Sequence, residues 1–135
     1  MDVWILPCSD EKVWSREPNR GAVSAKDTYV SDTFVRWRRA AESSGQPWFV
    51  LSTKHGLLRP DDPVPGPYDV PISAALKDER LLHALAEQGR RIDFAQFRTV
   101  YLVEWDRFRP LVDAAVGGTA PVRLMTLMYE DPRGR

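Results

Sequence analysis

Val3-Trp4-Ile5-Leu6, closed by Pro7, is the run from which the rest of the chain is read. Four apolar residues without alternation, bounded by a proline that cannot donate to a sheet ladder, describe a buried strand. A second such run, Trp48-Phe49-Val50-Leu51, ends at polar Ser52. Between the two, Ser31 reads as a helix N-cap followed by Asp32, with Val30, Phe34, Trp37 and Ala41 at helical spacing and Gly45 as the stop. A second helix is read from about Asp78 to Ile92, with Leu81, Leu82, Leu85, Gln88 and Ile92 along one side. Thr99 to Val103, β-branched and aromatic, predicts a third strand. A third helix follows over Asp106 to Val116, with Phe108, Leu111, Val112 and Ala115 inward and Gly117-Gly118 closing it. Val122 to Leu127 completes the set as a fourth strand.

Strands alternating with helices predict an α/β fold. The expected form is a single three-layer, Rossmann-like domain over residues 1–127, a mainly parallel four-stranded sheet with helices on both faces. Residues 128–135 read as a C-terminal tail, and the polar, aperiodic stretch from Cys8 to Thr28 as a long loop. Right-handed crossovers bring the carboxyl ends of the strands to one edge, where such folds bind ligands.

Composition narrows the function classes. Nineteen basic residues balance nineteen acidic ones, so no global field draws the chain to nucleic acid or anionic lipid. Any such contact must come from a local patch, with Arg36, Arg38 and Arg39 or Arg90 and Arg91 as candidates; solvated helix faces explain both equally simply. One cysteine excludes an internal disulfide and suits a reducing cytoplasm. The first residues lack the basic start and long apolar stretch of a signal peptide, and no run approaches the roughly 20 apolar residues that span a bilayer. The expected location is cytoplasmic, with no membrane partner.

Three segments carry chemistry just after a predicted strand. The first is Cys8-Ser9 with Lys12 four residues beyond Cys8. Backbone N–H groups in that turn can hold a phosphate or carboxylate, with Lys12 adding a cation. Cys8 can instead serve as a nucleophile, if Lys12 or His55 lowers its pKa, or as a small buried hydrophobe. The second is Ser52-Thr53-Lys54-His55-Gly56. Here His55 is a general acid or base, Lys54 a phosphate partner, and Gly56 permits a tight turn; a purely structural histidine is the other reading. The third runs from Glu104 to Asp106.

Asp27, Tyr29 and Ser31 precede and open the first helix. Tyr29 offers a ring for base stacking, or merely edges the core, while Ser31 binds an anion or simply caps. Asp61, Asp62, Tyr68 and Asp69 lie in a proline-stiffened loop that can wall a pocket. No His/Cys set at ligand spacing accompanies the aspartates, so no metal is expected. A P-loop, a Gly-x-Gly-x-x-Gly turn and a Gly-x-Ser-x-Gly elbow are all absent, and no cofactor is expected.

Taken together, Leu6-Pro7-Cys8-Ser9 with Lys12, Ala25 to Ser31 with Phe34, Leu51 to Leu58, Pro60-Asp61-Asp62 and Pro67-Tyr68-Asp69 form an ordered pattern over roughly residues 3–72. The pattern resembles an uncharacterised bacterial and phage domain family. More distantly it is similar to the bacterial peroxide-stress protein family and to the catalytic core of archaeosine synthase. The resemblance implies a pocket for a nucleobase or nucleotide. After the third strand the chain departs from the pattern: a small glycine-containing turn and a tyrosine would be expected, but the run is Val103-Glu104-Trp105-Asp106-Arg107-Phe108. Glu104 then reads as a replacement carboxylate, or the far wall binds a different ligand.

The resulting expectation is an enzyme acting on a nucleobase, nucleoside or nucleotide, free or within DNA or RNA, by glycosidic-bond cleavage or exchange or by base modification. Cys8, Lys54, His55 and Glu104 are the catalytic candidates. Ser9, Lys12, Asp27, Tyr29, Ser31, Ser52, Gly56, Tyr68 and Asp69 are the binding candidates. The alternative is a non-catalytic nucleotide-sensing or nucleic-acid-binding module in a stress or phage-related setting. Oligomeric state is left open.

Overall fold

The computed structural model describes residues 1–127; the tail expected over 128–135 lies outside them. In chain order the elements are β1 (Val3–Pro7), β2 (Val23–Ser24), α1 (Ala25–Thr28), α2 (Asp32–Ser44), β3 (Trp48–Ser52), β4 (Gly56–Leu58) and β5 (Pro63–Val64). Then come α3 (Ile72–Ala75), α4 (Glu79–Ile92), β6 (Val100–Val103), α5 (Arg109–Val116) and β7 (Val122–Met125).

β1 is the central strand, as its unbroken apolar run requires. It pairs in parallel with β3 on one side, Trp4 opposite Trp48 and Leu6 opposite Val50, and with β6 on the other, Ile5 opposite Leu102. β7 extends the sheet in parallel beside β6. β4 doubles back antiparallel to β3, with Ser52 opposite Gly56. The order is therefore β4-β3-β1-β6-β7, a five-stranded, mostly parallel sheet.

The expected four-stranded sheet is corrected here. The fifth strand is Gly56–Leu58, too short for an alternation to register, and both its leucines are buried. Gly56, at φ 75°, supplies the left-handed backbone that lets the chain reverse after Ser52. The stretch from Cys8 to Thr28 is also more ordered than a loop. Lys12 bridges to Tyr29, Val30 N–H donates to the Glu11 carbonyl at 3.1 Å, and the Trp14 indole donates to the Arg20 carbonyl at 2.8 Å. β2 then pairs with β5 as a separate two-stranded sheet. Two-residue strands carry no periodicity for a sequence reading to detect.

The helices follow their signals. Ser31 Oγ accepts the Phe34 N–H at 3.2 Å, and α2 ends at Gly45 in the left-handed conformation, burying Phe34, Trp37 and Ala41. Asp78 caps α4 by accepting from Arg80 and Leu81 N–H, while Arg90 and Arg91 occupy its negative last turn. The helix expected from Asp106 is divided: Asp106–Phe108 is a 3-10 turn and α5 begins at Arg109. Pro110 accounts for this, because its nitrogen cannot donate to the Asp106 carbonyl and its ring would crowd that oxygen.

α4 and α5 pack against each other, and α2 packs on β1. Gly89 makes the first contact possible: a Cβ there would stand 1.7 Å from the Ala115 carbonyl oxygen. No helix among the described residues is long and apolar enough to cross a membrane.

Candidate functional site

Strand order places the site. From β1 the chain moves one way to β3 and later returns to β6 on the other side, so the carboxyl ends of β1 and β6 diverge at a topological switch point. A cleft of about 310 Å³ opens there. The turn after β1 supplies Cys8, Ser9, Asp10 and Lys12, and Thr53 enters from the end of β3. Val70 and Ile72 close one side, and the segment after β6 gives Trp105, Arg107 and Phe108 on the other.

Charge and exposure differ sharply around this cleft. Lys12 is only 7% exposed, yet its Nζ contacts just the Asp10 carbonyl at 3.4 Å and the face of Tyr68, 4.4 Å from the ring centroid. A buried ammonium usually has a carboxylate beside it; among the described residues Lys12 has none within ion-pair distance. Arg107 is exposed at the opposite rim, and Asp10 contributes an exposed carboxylate. Trp105 is 40% exposed, one of few large apolar side chains so open among the described residues, and its ring is braced edge-on by Trp37 at 4.9 Å. The cleft thus combines a planar stacking surface, two cations and a carboxylate.

Cys8 reaches this cleft but is 7% exposed, with Sγ 4.0 Å from Thr53 Oγ1. Burial pushes its thiol pKa up, and the Thr53 hydrogen bonds and the nearby Lys12 do not reverse that. The resting cysteine is therefore a protonated thiol and a poor nucleophile.

Ser52 is fully buried and acts as a hub. Its Oγ donates to the Tyr68 hydroxyl at 2.8 Å and accepts the N–H groups of Lys54 and His55 at 3.1 and 3.0 Å. Tyr68 in turn shares a short hydrogen bond with Tyr29. Burial raises the pKa of both phenols, so both stay protonated. This chain ties the end of β3 and the proline-rich loop to Tyr29 at the end of α1.

His55 packs edge-on against Tyr68 at 5.3 Å and does not line the cleft. Its Nε2 is buried with no hydrogen-bond partner among the described residues. Burial, with Lys54 beside it, holds its pKa below the usual histidine range. Lys54 is exposed and also lies outside the cleft. Gln88 of α4 grips the turn at Gly56, accepting from Leu57 N–H at 2.8 Å and donating to the His55 carbonyl at 3.1 Å.

The other sequence candidates divide in the same way. Cys8, Ser9 and Lys12 line the cleft; Tyr68 and Asp69 line an adjoining groove that shares Lys12. Ser31 is occupied as a cap, and Tyr29 is 1% exposed in the core. Asp27 bonds Ser24 and Arg38, which outweigh the upward push of burial and hold its carboxyl low. Glu104, at φ 55°, accepts the Trp37 indole N–H and is not among the residues lining the cleft, where its neighbour Trp105 is. Asp10 and Arg107 are cleft residues marked by no motif, while Thr53 and Trp105 lie inside segments singled out above without being named as candidates. The sequence signal all four share is position, within a few residues of the end of an apolar strand.

Residues 3–98 match a family described as a family of unknown function, DUF6884. The chain belongs to this family. The DUF6884 match takes in β1, the Lys12 segment, the Ser52 hub and the proline-rich loop, and stops before β6. The Trp105–Phe108 wall of the cleft lies beyond it. The chain is also 32% identical over 113 residues to the uncharacterized protein YfjM of Bacillus subtilis (strain 168), covering 84% of this chain and 75% of that protein. No solved structure matches.

Proposed function

We propose that the cleft between the ends of β1 and β6 takes a nucleobase with its sugar and phosphate, and that the protein acts on that ligand at the glycosidic bond or on the base. One observation carries the reading: an exposed indole, braced by Trp37, shares one wall of a ligand-sized cleft with Arg107 and stands opposite Lys12, and among the described residues neither cation has a carboxylate within ion-pair distance. In this scheme the base stacks on Trp105, and Lys12 and Arg107 hold the phosphate oxygens. Asp10 accepts a proton from water or a ribose hydroxyl, and Ser9 and Thr53 orient polar edges. His55 and Ser52 position Tyr68, whose ring supports Lys12.

Other considerations agree. A three-layer, Rossmann-like reading of the fold puts its ligand at this crevice. The resemblance of the first half to the peroxide-stress family and the archaeosine synthase core also implies a nucleobase pocket. A lone buried thiol is at home in the cytoplasm.

The test is incubation with nucleosides, nucleotides and short DNA and RNA oligonucleotides, with products resolved by mass spectrometry. Release of free base or a mass change on the base, lost in Asp10→Asn, is the expected result. Binding without any product favours the second reading, a nucleotide-sensing module. The protonated thiol of Cys8 and the seclusion of His55 are the observations on that side.

A further inference from the structure

Resting on that nucleotide reading, we infer that the site is built for two nucleotide units joined by a phosphodiester, not for one. The cleft of about 310 Å³ adjoins a groove of about 400 Å³, and Asp10 and Lys12 are common to both. Each hollow alone lies near the lower end of the ~300–1,000 Å³ typical of small-ligand sites, room for about one unit. Ser15 and Pro18 form one bank of the groove, and Pro67, Tyr68 and Asp69 the other.

Lys12 sits on the boundary. Its ammonium is held in place by the Tyr68 ring yet has a single long hydrogen bond to protein, so it retains donors for a further acceptor. A phosphodiester bridging the two hollows supplies anionic oxygen at that point and offsets the cost of burying the charge. The first base stacks on Trp105 with Arg107 beside its outer phosphate. The second enters the groove, where the exposed Asp69 carboxylate accepts from a base N–H or a ribose hydroxyl. Asp10 and Asp69 flank Lys12 with negative charge, which disfavours a long run of phosphates. The geometry therefore fits recognition of one step in a strand, not tracking along it.

Calorimetric titration of the intact protein with nucleoside monophosphates and with 5′-phosphorylated dinucleotides, which carry both the outer and the bridging phosphate, tests this directly. The dinucleotides should bind at least about tenfold tighter, the gain of the second unit's contacts in the groove. Ser15→Trp, which fills the groove, should bring the ratio of the two affinities close to one. Equal affinities in the unaltered protein overturn the two-unit site while leaving the nucleotide reading intact. Binding of neither class overturns both.

Discussion

Ser52 Oγ and the Tyr68 hydroxyl, 2.8 Å apart, join the end of β3 to the proline-rich loop across sixteen residues of chain. The same oxygen serves the Lys54 and His55 amides, so one buried atom fixes both the β3–β4 turn and the ring beneath Lys12. Ser52→Ala leaves these groups without their partner. It should cost about 1–3 kcal/mol of stability, read by urea unfolding. A loss within error of zero would mean that the hub is not what holds the loop.

Gly89 lets the backbones of α4 and α5 approach closely. Gly89→Ala drives a methyl into the Ala115 carbonyl and should destabilise by about 1–3 kcal/mol or more, despite alanine's better helix propensity. Gly66→Ala, with nothing within 4 Å of the new methyl, is the control and should stay within about 0.5 kcal/mol. Equal effects of the two changes would contradict the packing of α4 on α5.

Cys8 should resist modification. With its thiol buried and its pKa raised, labelling by an aromatic disulfide reagent at mildly alkaline pH should be slow in the native protein and fast in denaturant. Native labelling at the denatured rate would place the thiolate in solvent and revive it as a nucleophile.

His55 makes stability depend on pH. Its folded pKa is depressed, so below the ordinary value of about 6.5 the unfolded chain takes up a proton before the folded one. The contribution is complete above that pH and is lost as pH falls toward the lower folded pKa. Unfolding curves across this window should show wild-type stability falling as pH drops, with a flatter profile for His55→Asn. A wild-type profile as flat as the variant's would show that the histidine titrates normally.

Much of the fold was legible because its long elements bury regular patterns. β1 and β3 are unbroken apolar runs, and α2 and α4 carry cap, stripe and stop in order. β4, β2 and β5 escaped, because two or three residues hold no period and their existence depends on partners far along the chain. The site was half legible for a related reason. Cys8 and Lys12 follow a strand whose carboxyl end faces the crevice, and the fold delivers them there. His55 and Glu104 follow strands too, but His55, on the turn that reverses at Gly56, packs on Tyr68 and does not line the cleft. Glu104, with its left-handed backbone, bonds Trp37 and yields the wall to Trp105. Direction of a side chain after a strand is set by such local turns, which residue type alone does not reveal.

Lys12→Met, read by calorimetry with nucleoside monophosphates, addresses the ligand cleft most directly. Methionine matches the aliphatic stem and removes the buried charge, so the melting temperature should hold or rise. Wild type should bind at least one of these nucleotides, and Lys12→Met should bind it about tenfold or more weakly. Binding unchanged by loss of the ammonium, or no binding by the wild type at all, would contradict a nucleotide site between β1 and β6.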